Sequence, residues 1–229
     1  MDMHIASPTV AFPSACTQMI VLRLRPGISV KDFQGASVLK EVIEDLEKPP
    51  DVRRVYWGTG LETPNMLHLH VVRERLHQHY DFLASSSYVG LKTKFGSITE
   101  GEPTIRHAFL VEYTPECESL GRGAPFTGTA IYVDTDGAWD HAWQLWATIV
   151  PRVKGCMGVA GGYIVEPIDG HERCFIAWVG WNTTEEHEAY HHTKHWRDRR
   201  AILEQGHKGY REYCHVMFNN SHSPPKSLL

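Results

Sequence analysis

NMLHLHVV (65–72) and RCFIAWVGW (173–181) decide the fold, because a shift of 108 residues lays one on the other. Met66-Leu67-His68-Leu69-His70 then falls on Cys174-Phe175-Ile176-Ala177-Trp178. The same shift places His79 on His187, Phe82 on Tyr190 and Tyr88 on Trp196. Both stretches are short and apolar, and turn residues bound them, as strands require.

Working outward, the same order of elements occurs twice. TQMIVLRLR (17–25) reads as a strand, and a turn follows at Pro26 and Gly27. Ser29 is the expected cap of the helix VKDFQGASVLKEVIEDLE (30–47), which Pro49 and Pro50 close. RRVYWGTG (53–60) pairs with 65–72 as a hairpin across LETP. LHQHYDFLASSSYVGLKTKF (76–95) reads as one helix and TIRHAFLVEY (104–113) as a strand.

The order restarts after CESLGRGAP (117–125), a linker by composition. GTAIYVDT (128–135) is a strand and GAWDHAWQLWATIVPRV (137–153) a helix. GVAGGYIVEP (158–167) forms a hairpin with 173–181 across IDGHE, and the glycines in VAGGY suggest a bulge. TTEEHEAYHHTKHWRDRRAILEQ (183–205) reads as one helix and REYCHVMF (211–218) as the last strand.

The expected fold class is therefore α+β: two tandem ferredoxin-like βαββαβ repeats over 16–116 and 126–218. Residues 1–15 are expected to be a loose arm and 219–229 a disordered tail. Each repeat makes a four-stranded antiparallel sheet with both helices on one face. The bare faces must be buried, so the sheets are expected to pack against each other as a barrel around a pocket.

Composition narrows the function. The net charge is -4 and no polybasic run occurs, which argues against nucleic acid or an anionic membrane as partner. No apolar run reaches the length of a membrane span, and the N-terminus lacks a signal-peptide pattern. The five Cys are scattered without a CxxC, as expected in a reducing compartment, and a cytoplasmic location follows. No P-loop, GxSxG or dinucleotide-binding glycine turn is present, and no cofactor is expected.

Period-two alternation puts Leu67, Leu69 and Val71 on one face and Met66, His68 and His70 on the other. The third strand is central in such a sheet and its apolar face must cover the helices. His68 and His70 then point into the barrel as candidate acid–base catalysts; the bland alternative is a histidine pair on an exposed sheet face. The corresponding positions of the second repeat, Cys174, Ile176 and Trp178, supply an aromatic wall instead. Arg23, on the face of Met19 and Val21, could hold a carboxylate or enolate, or be a solvated residue at a strand end. The candidate substrate-binding set is Arg23, Tyr56, Tyr88, Tyr163, Trp178, Tyr190 and His192.

HEAYH (187–191) satisfies H-E-x-x-H, and His187, His191 and His195 would share one helix face. The longer metalloprotease pattern fails: Lys194 stands where Gly is needed and Arg197 where the third His should be. The first repeat reads HYDFL there, so no metal is expected.

WNTTEEHEAYHHTKHW (181–196) resembles the corresponding helix of the dimeric α+β barrel superfamily. That group includes stress-responsive barrels, antibiotic-biosynthesis monooxygenases and polyketide cyclases. Trp181, Thr183, His187, Tyr190, His192 and His195 carry the likeness. In the olivetolic-acid-type cyclases a His-Pro-x-His run holds the catalytic His; His192-Thr193-Lys194-His195 has that spacing without the Pro, and His195 takes the catalytic place. Ala189 stands where those cyclases carry a Tyr. The resemblance implies a cofactor-free cyclase, lyase or isomerase acting on an apolar polyketide- or terpenoid-like molecule. Alternatives are a cofactor-independent monooxygenase and a non-catalytic carrier or stress protein. Most such proteins are homodimers; this chain is expected to be a monomeric pseudo-dimer or a homodimer.

Overall fold

The computed structural model describes residues 15–112 and 124–220. The expected arm, most of the linker and the tail after 220 lie outside the described residues. The first repeat is β1 (Cys16–Leu24), α1 (Phe33–Glu47), β2 (Val52–Thr59), β3 (Met66–Arg73), α2 (Leu76–Leu83), α3 (Ser86–Phe95) and β4 (Thr99–Glu112). The second is β5 (Phe126–Tyr132), α4 (Gly137–Ile149), β6 (Cys156–Ile164), β7 (Phe175–Trp181), α5 (Thr184–His191), α6 (Lys194–Arg199) and β8 (Tyr210–Val216). Asn219 and Asn220, the start of the expected tail, instead form a short strand, β9.

Local chemistry explains three departures from the sequence reading. The first helix starts at Phe33, because Asp32 and not Ser29 accepts the Gly35 N–H. Each long second helix is two helices. Ser85 caps α3 by accepting the Tyr88 N–H, and Thr193 caps α6 by accepting the Trp196 N–H. A hydroxyl that satisfies these amides lets the chain restart at a new angle. His195 therefore does not continue the stripe of His187 and His191.

The strands join in the order β8-β5-β7-β6-β4-β1-β3-β2-β9, with every pairing antiparallel. Two four-stranded sheets thus meet at two seams. At one, β4 pairs with β6 through Ala108–Ile164 and its neighbours. At the other, the last segment of chain pairs with β5 and then reaches β2 through β9 and a Gly60–Val216 bridge. The inner faces face each other across a lumen, and the edge pairing closes the barrel.

The core divides accordingly. Leu67, Leu69 and Val71 pack with Leu39, Val42 and Leu46 under the helices of the first repeat. Trp139, Trp143 and Trp146 pack with Phe175 and Trp181 under those of the second. Met19, Tyr56, Ile176, Trp178, Val216 and Phe218 fill the barrel from both repeats.

The seams repeat one design. Val165 N–H donates to His107 O at 2.8 Å, and Leu61 N–H to His215 O at 2.7 Å. A glycine faces the opposite backbone at each. A Cβ on Gly162 would lie 1.8 Å from Phe109 O, and one on Gly58 2.1 Å from Met217 O. Gly162 of VAGGY thus permits close approach of the repeats, while Gly161 makes room for the Phe175 and Trp143 rings; the irregular register of β6 falls earlier, between Cys156 and Gly158. Gly162→Ala and Gly58→Ala should each cost about 2 kcal/mol or more, because the obstacle is backbone and cannot rotate away. Urea midpoints of the two variants measure this.

Candidate functional site

Alternation along β3 sends His68 and His70 into the lumen, where a cavity of about 320 Å³ lies between the sheets. Met19, Val21, Ile131, Ile176, Cys214 and Phe218 make its apolar wall together with Met66. His70 is 2 % exposed, and its ring centre lies 5.0 Å from Phe218, 5.7 Å from Trp178 and 6.2 Å from His68. Its Nδ1 is buried with no hydrogen-bond partner among the described residues. Arg106 and Glu212 form a two-armed ion pair at 2.6 and 2.7 Å on the cavity wall. The pair joins the last strands of the two repeats.

Burial pushes the His68 imidazole down to about 4, with Glu212 pulling the other way. Burial, helped by His68, holds His70 well below its ordinary value. Both rings are therefore neutral near pH 7 and able to accept a proton. Outside the lumen, burial also lowers His79, to about 4.

These depressed values set a sign for stability. The unfolded chain takes up protons near the ordinary value of 6.5, whereas the folded chain resists until about 4. Stability is full above pH 6.5 and falls as pH drops through that window, by up to roughly 1.4 kcal/mol per pH unit for each such His. Urea midpoints between pH 7 and 4 check it; a flat profile would show that these imidazoles are charged when folded.

The remaining sequence candidates divide between the two sides of the sheets. Tyr56 and Trp178 are buried in the lumen core. Arg23 is on the inward side but exposed at the mouth, beside Val21, Met66 and Glu100. Tyr88 packs under the first-repeat helices against Phe82, 5.8 Å between ring centres, so it is not a lumen residue. Tyr163 alternates outward from the inward Ile164; its hydroxyl donates to Asp140, and Arg173 lies over its ring. Tyr190 is buried on the outer face of the second sheet and its hydroxyl meets His195 Nδ1 at 3.1 Å. His192 is solvent-exposed beside Glu188. None of the last four reaches the lumen: Tyr88, Tyr190 and His192 belong to helices or a helix end and cannot cross the sheet, and Tyr163 lies on the outward face of β6.

The sequence reading missed a pair of carboxylate–imidazole clamps. Glu166 receives the His107 backbone N–H at 2.7 Å and its Nδ1–H at 2.5 Å. Glu62 receives the His215 backbone N–H at 2.9 Å and its Nδ1–H at 2.5 Å. In each, a residue just beyond the second strand of one repeat grips the last strand of the other. Burial raises both carboxyls, but the bonds from the histidines outweigh it and hold them below the usual range. The signal was present: the shift of 108 lays His107 on His215, and GTGLE (58–62) and GYIVE (162–166) share their Gly and Glu.

Among the described residues no three His, Cys, Asp or Glu side chains converge as a metal ion requires, HEAYH included. No helix there is long and apolar enough to cross a membrane.

The strand order and the two seams define a tandem ferredoxin-like α+β barrel, closed within one chain. No family profile and no curated protein matches the sequence. Solved structures match the fold. A candidate monooxygenase of Fusobacterium nucleatum has TM-score 0.65 at 8% identity, over 91% of this chain and 95% of that one. An anthrone oxidase-like protein has TM-score 0.64 at 12% identity, over 91% and 93%. A candidate monooxygenase of Lactobacillus acidophilus NCFM has TM-score 0.56 at 12% identity, over 90% and 94%.

Proposed function

We propose that the chain is a small-molecule enzyme whose lumen binds an apolar, enolisable, polyketide- or terpenoid-like molecule. His70 and His68 move a proton on it without a cofactor, in a cyclisation, elimination or isomerisation. One observation carries this reading: two neutral imidazoles, one with an unpartnered nitrogen, share a largely apolar cavity. A buried polar atom without a partner costs stability, and a bound hydroxyl or carbonyl-activated C–H gives it one. The cavity size suits a small multi-ring ligand. Holding one conformer and supplying one base are together enough for an already reactive substrate. A second chain is not needed to complete the lumen, so the monomer is the proposed working unit.

Proton abstraction leaves a carbanion or enolate, which can also reduce oxygen. The names of the similar solved structures support this second reading, a cofactor-independent monooxygenase. Oxygen uptake during turnover separates the two: none is expected for the cyclase or isomerase, and one O₂ per product identifies the oxygenase. Ile176→Trp, which fills the lumen, should abolish ligand binding in either case. Binding that survives it places the ligand elsewhere and ends the lumen reading.

A further inference from the structure

The two clamps are copies of one arrangement, yet among the described residues that of His107 is packed shut and that of His215 leads to a cavity. In the first repeat, His107 Nε2 is occupied by the Gln18 side-chain amide at 3.1 Å. His79, the neighbouring imidazole, is fully buried and bonds to Cys16 O at 2.9 Å. The array is sealed. In the second repeat the residue paired across from His215 is Gly128, as Gln18 is paired across from His107. Gly128 has no side chain to fill the gap. His187 fills it, and its Nδ1 meets His215 Nε2 at 2.8 Å.

This continuous chain fixes the tautomers. Glu62 takes the proton-bearing Nδ1 of His215, so His215 Nε2 is an acceptor and takes the Nδ1–H of His187. His187 Nε2 then carries a lone pair. It makes no hydrogen bond among the described residues, and His187 lines a cavity of about 110 Å³ on the outer face of the second sheet. Trp143, Trp146, Trp181, Trp196 and Tyr190 wall that cavity. His187 stacks on Trp181 with ring centres 4.5 Å apart, which fixes its plane.

We propose that this cleft is a second small-molecule site, distinct from the lumen, for a single-ring aromatic weak acid of the phenol class, with His187 Nε2 as the acceptor of its O–H. The volume holds about one six-membered ring. Indole faces suit a flat ring, and the His187 acceptor in a wall that is mostly apolar, with His191 and Tyr213 also lining it, favours a ligand that carries a donor. Burial, with His191 and His215 beside it, holds the His187 imidazole down to about 3, so the proton stays on the ligand oxygen and Nε2 acts as a hydrogen-bond acceptor. Glu62 and His215 are positioning residues here; His187 touches the ligand. The site does not depend on the lumen reading.

Phenol and toluene are the probes, since they match in size and differ in the donor. Calorimetric titration of the full chain at neutral pH should show phenol binding at least ten-fold tighter, although toluene is the more hydrophobic. His187→Gln and Gly128→Gln, the second of which copies the sealed arrangement, should each weaken phenol ten-fold or more. Glu62→Gln should weaken it less, and Glu166→Gln in the sealed copy should leave it unchanged. Toluene binding as well as phenol, or phenol binding untouched by both His187→Gln and Gly128→Gln, overturns the proposal. The wild-type comparison of the two probes stands even where a variant fails to fold.

Discussion

Replacing His70 by Ala should lower turnover by about two to four powers of ten, the worth of a placed general base, if His70 has the role we propose. On that proposal the loss should fall on kcat more than on KM, because the imidazole would act on the proton in flight while the apolar wall would hold the substrate. The same substitution should not unfold the chain. His70 Nδ1 is buried without a partner among the described residues, so removing it lifts a desolvation cost that offsets the cavity left behind. His70→Leu, closer in volume, should be more stable than the parent and equally inactive, the trade expected of a group kept for function. His68→Ala should show a smaller loss if His68 returns the proton and a comparable one if it takes it. His195→Ala should leave turnover intact, since His195 meets Tyr190 on the far side of the second sheet. Full activity in both lumen variants would leave shape alone, or a carrier.

Asp51→Ala should cost about 3–5 kcal/mol, a large part of the stability of a chain this size. Asp51 Oδ2 lies 2.5 Å from Arg73 Nη1, and the Arg73 side chain is 2 % exposed. The guanidinium sits 4.8 Å over the Phe82 ring at the end of β3, and its Nε and Nη2 have no partner among the described residues. Deleting the carboxylate leaves a buried cation with only that ring to face. By contrast, the exposed Lys40–Glu44 and Lys92–Glu102 pairs should contribute under 1 kcal/mol. Arg73→Met together with Asp51→Ala should recover much of the loss, because an apolar chain of similar length needs no counter-charge. Denaturant unfolding of the single and double variants measures each term.

The inward pointing of His68 and His70 was legible because β3 is bounded by neighbours on both sides. Leu67, Leu69 and Val71 had a layer of helices to cover, and a period of two left the histidines no other face. Tyr88, Tyr163 and Tyr190 were not legible as outward residues, since an aromatic suits a lumen and a helix–sheet core equally. Only the neighbours of each strand distinguish the two. The clamps were written in the sequence as a repeated His and a repeated Gly and Glu, but at two different shifts. The second hairpin is longer than the first, so no single alignment shows all three.

The sequence by itself determined the repeat, the strand alternation and the need to bury two bare sheets, because these depend on side-chain period and apolar area along the chain. Tertiary structure alone decided that the sheets join at both edges. It also decided that Gly58 and Gly162 admit the opposite backbone, and that Gly128 opens one clamp where Gln18 seals the other. Those facts turn on distances of a few ångströms between residues 28 to 159 positions apart. Local propensity carries no information about such distances; the closing of the barrel sets them.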